Sequence, residues 1–121
     1  MITGFIRSYR AAAAIAAYRI VRFSDAANSS AVNVASAAAQ AIIGTTGKVG
    51  ASAAGEMVDV HRSGLNPVQL GGTVNAGDWL TSDANGKAIA TTTAGDGVIG
   101  RAEQPGVADD IIDYFAAHSR Y

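Results

Sequence analysis

The chain has 121 residues, nine of them basic and ten acidic, for a formal net charge of −1, and it contains no cysteine. This is the length of one domain. It has no net charge to favour nucleic acid or an anionic membrane, and it excludes disulfides, thiolate nucleophiles and Cys-ligated metals. The 49% apolar content overstates the core, because 26 residues are alanine and the chain has one Trp, three Phe and two Met; at about 25 cal/mol per Å² of burial, such a chain is expected to gain stability by associating with copies of itself or with another protein.

Residues 1–10 alternate loosely, with Ile2, Phe5, Ile6 and Tyr9 among Thr3, Arg7, Ser8 and Arg10. The pattern suits an extended arm or an edge strand. The alanine-rich run Ala11–Ala17 favours helix on propensity, but it has no capping residue and is too short to stand alone, so one turn at most is expected. It is also too short and too weakly hydrophobic for a signal peptide. No stretch approaches the roughly 20 apolar residues of a membrane span. Tyr18–Phe23 alternates as a strand. Asp25–Ser30 is a polar turn cluster, and Ala31–Ala35 a short strand. Ala41–Gly44 is a buried-strand candidate. Gly47, Gly50 and Gly55 separate it from Met57–His61, where Val58 and Val60 share one face. Pro67–Leu70 follows a turn at Ser63-Gly64.

Gly77–Ala90 reads as one β-hairpin. Trp79, Leu80 and Thr81 suit a pleated surface. Asp83-Ala84-Asn85-Gly86 supplies the turn, with Asp and Asn bonding back to the backbone and Gly accepting a positive φ. Lys87–Ala90 returns as the second strand, with Ile89 as its apolar anchor. Thr91–Gly97 is a loop, and Val98–Ala102 and Ile111–Phe115 are the last strands. An internal echo accompanies them. Ile43-Gly44 precedes Gly50 by six residues and then the strand Met57-Val58-Asp59-Val60; Ile99-Gly100 precedes Gly106 by six and then Ile111-Ile112-Asp113-Tyr114. This suggests two similar β-loop-β units. Many short strands divided by Gly-rich turns indicate an all-β fold: a small β-sandwich or barrel of short antiparallel strands with an extended N-terminal arm, the arm at 1–17 and the β-domain at 18–121.

The motifs that could carry chemistry have simpler structural readings. Gly95-Asp96-Gly97-Val98-Ile99-Gly100 matches a dinucleotide fingerprint, which needs a helix opening at the motif; β-branched residues inside it and Pro105-Gly106 soon after indicate a turn into a strand. Gly44-Thr45-Thr46-Gly47-Lys48 lacks the spacing of a phosphate-binding loop, and Val49 stands where Ser or Thr would hold magnesium. His61 and His118 share no metal-ligand spacing. Asp109, Asp110 and Asp113 lack the alternating oxygens and closing glutamate of a calcium loop. Ser63 lacks the nucleophile-elbow context, and Asn28-Ser29-Ser30 is a turn. No catalytic residue, cofactor or metal is expected. The charges are unevenly placed: residues 1–24 carry Arg7, Arg10, Arg19 and Arg22 and no acid, and 103–113 carry Glu103, Asp109, Asp110 and Asp113 and no base. That is either simple solvation or a basic segment made to meet an acidic surface on another subunit or partner.

The order of segments resembles the capsid cement or decoration proteins of tailed-phage heads. The matching stretches are Ile15–Val21, Ala54–Val60, Gly77–Ile89 and Val98–Ala102, and Gly-Asp-x-Leu-Thr-x-Asp-x-x-Gly-Lys is the most specific of them. The acidic, aromatic run Asp109–Phe115 departs from the small-residue ending of that family. The resemblance implies a structural protein of the virion, made in the host cytoplasm and bound to the outer surface of the assembled head. There it would stabilise contacts between major capsid protein subunits, with neither nucleic acid nor membrane as partner. A homo-oligomer is expected, a trimer in preference to a dimer. The interface residues expected are Ile2, Phe5, Arg7 and Tyr9 on the arm, whose removal should leave the β-fold intact, and Trp79. The alternative is a carbohydrate- or ligand-binding β-module of a fibre or adhesin, using aromatics around Trp79.

Overall fold

The structure is a computed structural model. It describes the backbone of residues 2–3, 6–25, 28–37 and 42–120, and side chains within 6–24, 30–37 and 42–117. Among the described residues eleven strands are formed: β1 (Ile2–Thr3), β2 (Ile6–Ala11), β3 (Ile20–Asp25), β4 (Asn28–Val34), β5 (Ile42–Thr46), β6 (Met57–His61), β7 (Gly64–Gln69), β8 (Trp79–Ser82), β9 (Ala88–Ala90), β10 (Gly97–Ala102) and β11 (Ile111–Arg120). Strands β2-β4-β3-β5-β6 close into a barrel, and β1-β7-β11-β10-β8-β9 form a six-stranded sheet. The all-β expectation holds. The pairings are antiparallel except β2 with β4, which run parallel through Arg10↔Ala31 and Ala11↔Val32; β2 also pairs with β6 over five residues, and this closes the barrel.

The segment expected to be an extended arm therefore supplies strands to both sheets, and the division at residue 17 falls between a barrel stave and its neighbour. The cause is a period-2 pattern: Tyr9 and Ala11 point into the barrel, each 1% exposed, while Ser8 and Arg10 lie outside. Nor do the alanines after β2 make a helical turn. Backbone amides in this run are spent on distant segments instead, Ala12 donating to the Val32 carbonyl on β4 and Ile15 to that of Ala51 in the loop after β5, both at 2.8 Å.

Two units of five strands, β2–β6 and β7–β11, repeat one topology. Exchanging β2 for β7, β3 for β8, β4 for β9, β5 for β10 and β6 for β11 converts one strand order into the other. The details coincide as well. Ile20↔Thr45 and Thr45↔His61 in the first unit match Trp79↔Arg101 and Arg101↔Phe115 in the second. The reciprocal backbone pair Ile15–Ala51 matches Val74–Gly106. The left-handed turn residues Tyr18 (φ 59°) and Gly55 (φ 91°) match Gly77 (φ 88°) and Asp109 (φ 71°). Gly44 and Gly100 match in function: a Cβ on Gly44 would run into the carbonyl oxygen of His61, and one on Gly100 into that of Phe115. The echo in the sequence thus marks a duplication that extends over the whole five-strand unit.

The units differ in how they close. In the second, the parallel closure is reduced to one bridge, Leu70↔Ala88, and the first unit covers the opening. Ile20 and Val21 of β3 and the whole of β5 are buried on both faces. Val21 and Ile43 fill the barrel interior with Tyr9, Val32, Val58 and Val60; Ile20 and Ile42 face the other way, into a core with Leu70, Leu80, Ile99, Ile112 and Tyr114 of the second unit. This explains why every residue of Ile42–Thr46 is buried. The expected hairpin is present, with Ser82↔Ala88 and Leu80↔Ala90 in register. Asp83 Oδ1 accepts from the amides of Asn85 (2.8 Å) and Lys87 (3.0 Å). Its turn also ties the units together, since the Gly86 carbonyl accepts the Ile20 amide at 2.7 Å. Ala88, fully buried, anchors the returning strand in place of Ile89, because alternation turns Ile89 outward.

Candidate docking surface

The repeated topology builds the same row of side chains twice, one residue per strand. In the first unit it runs Ile6–His61–Thr45–Ile20, and in the second Leu65–Phe115–Arg101–Trp79. Their surroundings differ at three of the four positions, Ile6 being 37% exposed like an outward residue of the second row. Ile20 and Thr45 are fully buried against the second unit and His61 is 5% exposed. In the second unit Phe115 is 53% exposed, Arg101 is exposed, and Leu65 and Trp79 are half-buried. Alternation accounts for this: Asn66 and Val68 on β7, and Ile112 and Tyr114 on β11, point into the core, so their neighbours face solvent. Ile111, 50% exposed, lies four residues along the same face of β11 from Phe115.

The open row is ordered before any partner arrives. The Arg101 guanidinium stands 4.4 Å from the Trp79 ring centroid, a cation–π contact worth about 0.5–1 kcal/mol at an exposed site. It takes one face of the indole, a face that a sugar would need as a platform. Pro67, which lacks an amide donor, is tolerated inside β7 because, among the described residues, β1 pairs with Gly64 and Leu65 and not with Pro67.

Comparisons with protein-family models and with curated proteins find no match. Among solved structures, the chain is similar to the head fibre gp8.5 N base of bacteriophage phi29. The TM-score is 0.71, over 97% of this chain and 97% of that one, at 18% identity. At that identity the likeness is one of fold.

The residues expected at an interface divide among three environments. Trp79 lies in the open row, and Ile2 is placed next to it by register, paired with Leu65 on the edge strand. Arg7 lies on the barrel with its guanidinium 4.9 Å from the Tyr9 ring centroid. Tyr9 is in the barrel core and touches no surface; its hydroxyl accepts from Arg62 Nη1 at 2.8 Å. Phe5 lies outside the described residues. Leu65, Arg101 and Phe115 complete the row and were not singled out by motif; the echo between Val60-His61 and Tyr114-Phe115 was the signal that could have found them.

The groups with chemical potential are engaged elsewhere. His61 borders an open cleft of about 310 Å³ with Gly47, Lys48, Val49 and Asp59. Burial pushes its imidazole below the usual range, against the pull of the Asp59 charge, and Asp59 Oδ1 accepts the Ser8 hydroxyl at 2.6 Å. The Tyr114 hydroxyl, buried at the junction of the units, shares a 2.9 Å hydrogen bond with Thr45 Oγ1, and burial pushes its pKa up to about 12. Asp109 pairs with Lys87 at 2.6 Å, which holds its carboxyl below the ordinary value. Asp110 Oδ2 caps its own loop through the Val107 amide at 3.0 Å. Among the described residues no group of three His, Cys, Asp or Glu is placed to hold a metal ion. The fingerprint at Gly95–Gly100 is a turn into β10, with Gly95 at φ 93°. The side chain of His118 lies outside the described residues.

Proposed function

We propose that this protein is a structural, non-enzymatic component of a tailed-phage head. It sits on the outer surface of the assembled shell and stabilises contacts between neighbouring major capsid protein subunits, as a cement or decoration protein does. The observation that carries this reading is the likeness to the phi29 head fibre base over 97% of both chains. Two features of the chain agree with a mechanical role. Its two units are joined by a shared core around Ile20 and Ile42, and its surface displays a pre-ordered row in which Arg101 stacks on Trp79.

The test is to prepare heads with and without the protein, image both by electron microscopy, and follow DNA release on heating. The reading expects regularly placed extra density on the shell exterior, rebinding of purified protein to bare heads, and release at lower temperature from heads that lack it. Purified protein that leaves bare heads undecorated would overturn it.

A further inference from the structure

We infer that a second copy of this chain covers the open Leu65–Phe115–Arg101–Trp79 row with the outer β2–β6 face of its own first unit, so that copies associate head to tail. The duplication supplies the first argument. The equivalent row of the first unit is covered at its Thr45–Ile20 end, within the same chain, by a unit of the same fold, which buries both residues completely, while Ile6 at the other end stays 37% exposed. The second unit presents the same strand order and register with larger side chains, of which Phe115 and Arg101 are exposed and Leu65 and Trp79 half-buried. Its complement is another unit of this fold.

Charge identifies which unit. Residues 1–63 hold six basic and three acidic side chains, and 64–121 hold three basic and seven acidic ones, a first unit near +3 and a second near −4. Among the described residues the single ion pair, Lys87–Asp109, lies wholly within the second unit. Across the two units Arg19 acts on Asp109, which offsets one charge of each sign; the remaining imbalance favours opposite ends of two molecules meeting. The apolar residues divide likewise. Phe115 (53% exposed), Ile111 (50%) and Val107 (54%) lie on the acidic unit beside Asp110 and Asp113; Met57 (59%), Val49 (72%) and Ile6 (37%) lie on the basic one beside Arg10 and Lys48. On the basic unit the register sets Met57 against Arg10 and Asp59 against Ser8, which makes the outer faces of β2 and β6 one surface. The open row with Ile2 spans five strands, about 19 Å at 4.8 Å per strand, wide enough for a specific contact. Because the two faces differ, the contact is heterologous, and it closes into a ring or continues as a filament.

The experiment is sedimentation velocity on the full chain, without heads, so that its failure is separable from failure of the head reading. The chain is expected to associate with rising concentration at about 0.05 M salt and at least about tenfold more weakly at 0.5 M. Phe115→Glu, Met57→Glu, Arg10→Glu and Asp113→Arg, all at outward-facing positions, are each expected to weaken association at least about tenfold with an unchanged melting temperature. An equimolar mixture of Arg10→Glu and Asp113→Arg chains is expected to recover it, because the altered face of each meets a complementary face on the other. A chain that stays monomeric up to about 0.1 mM overturns the inference. So does association that Phe115→Glu weakens but Met57→Glu and Arg10→Glu leave intact, which would mean the row is covered by something other than the basic unit.

Discussion

Replacing Tyr9 with alanine tests whether the N-terminal segment is a stave of the barrel. The ring is 1% exposed, meets Phe23 edge-on with centroids 6.0 Å apart at 70°, and accepts a 2.8 Å hydrogen bond from Arg62. Truncating a buried aromatic costs about 3–5 kcal/mol. The edge-on contact adds about 0.5–1.5 and the lost hydrogen bond about 0.5–1.5; partial collapse of the small-residue interior offsets part of this, leaving about 4 kcal/mol. That is a large share of the 5–15 kcal/mol typical of a domain, and at about 3–5 °C per kcal/mol for this size it lowers Tm by about 12–20 °C. Tyr9→Phe, which keeps the ring and loses only the hydroxyl, is expected to cost about 1 kcal/mol. Urea unfolding followed by far-UV circular dichroism and by Trp79 fluorescence measures both. Tyr9 and Trp79 lie in different units that share a core through Ile20 and Ile42, so the two signals are expected to shift together. A Tyr9→Ala protein within about 1 kcal/mol of the parent would mean that β2 is a detachable arm. By the same reasoning, removing residues 1–10 unfolds the barrel, since all five pairs with β6 and one of the two with β4 go with it.

Two further predictions concern pH. The Tyr114 phenol ionises near 10 in the unfolded chain and near 12 when folded, so its contribution is complete below pH 10 and is lost as pH rises through 12, up to about 3 kcal/mol; urea midpoints between pH 9 and 11.5 should fall more steeply for the parent than for Tyr114→Phe. His61 is held neutral by burial, its pKa below the unfolded value of 6.5, so the unfolded chain takes up the proton first and stability declines as pH falls below that value. Melting temperatures at pH 7.5 and 5.5 should differ less for His61→Gln than for the parent, and equal differences would remove His61 from the account.

What was legible depended on whether a signal was local. The Asp83–Gly86 turn fixes its own geometry through Asp83 Oδ1 and was readable from four residues, as were the alternation of Val58 and Val60 and the turn that opens β10. The placement of Tyr9 was not, because Arg7-Ser8-Tyr9-Arg10 alternates equally well in an edge arm and in a stave, and only the long-range partners Val58 and Ala31 decide between them. The open row could not be read from any of its residues alone, for the same reason. Leu65, Phe115, Arg101 and Trp79 lie on four strands spread over half the chain, and each alone is an ordinary outward residue. His61 and Phe115, which occupy the same position in the two repeats, share no chemistry, so identity could not reveal the correspondence; the spacing of Ile43-Gly44 and Ile99-Gly100 did, because the close approach of backbone at Gly44 and Gly100 leaves no room for a side chain.

The two rows began with equal geometry, and their side chains decided their fates. Ile20 and Thr45 suit a buried seam: the isoleucine contributes about 1.5–3 kcal/mol by burial, and the threonine hydroxyl is satisfied by Tyr114 at 2.9 Å, so no polar group is stranded. Arg101 at the Thr45 position could not enter such a seam without leaving a charge unpaired. Its stem lies on a surface and its guanidinium stacks on Trp79, an arrangement stable in water and still able to accept a carboxylate from a partner. Closing the first barrel and leaving the second open also follows from these seams. Ile20, Ala35 and Ile42 fill the mouth of the second unit, and a second unit that closed fully through Leu70 and Ala88 would have had no place for them. One copy of the duplicated fold thus serves as the plug of the other. The outward row of the plugged unit stays open to solvent at Phe115 and Arg101.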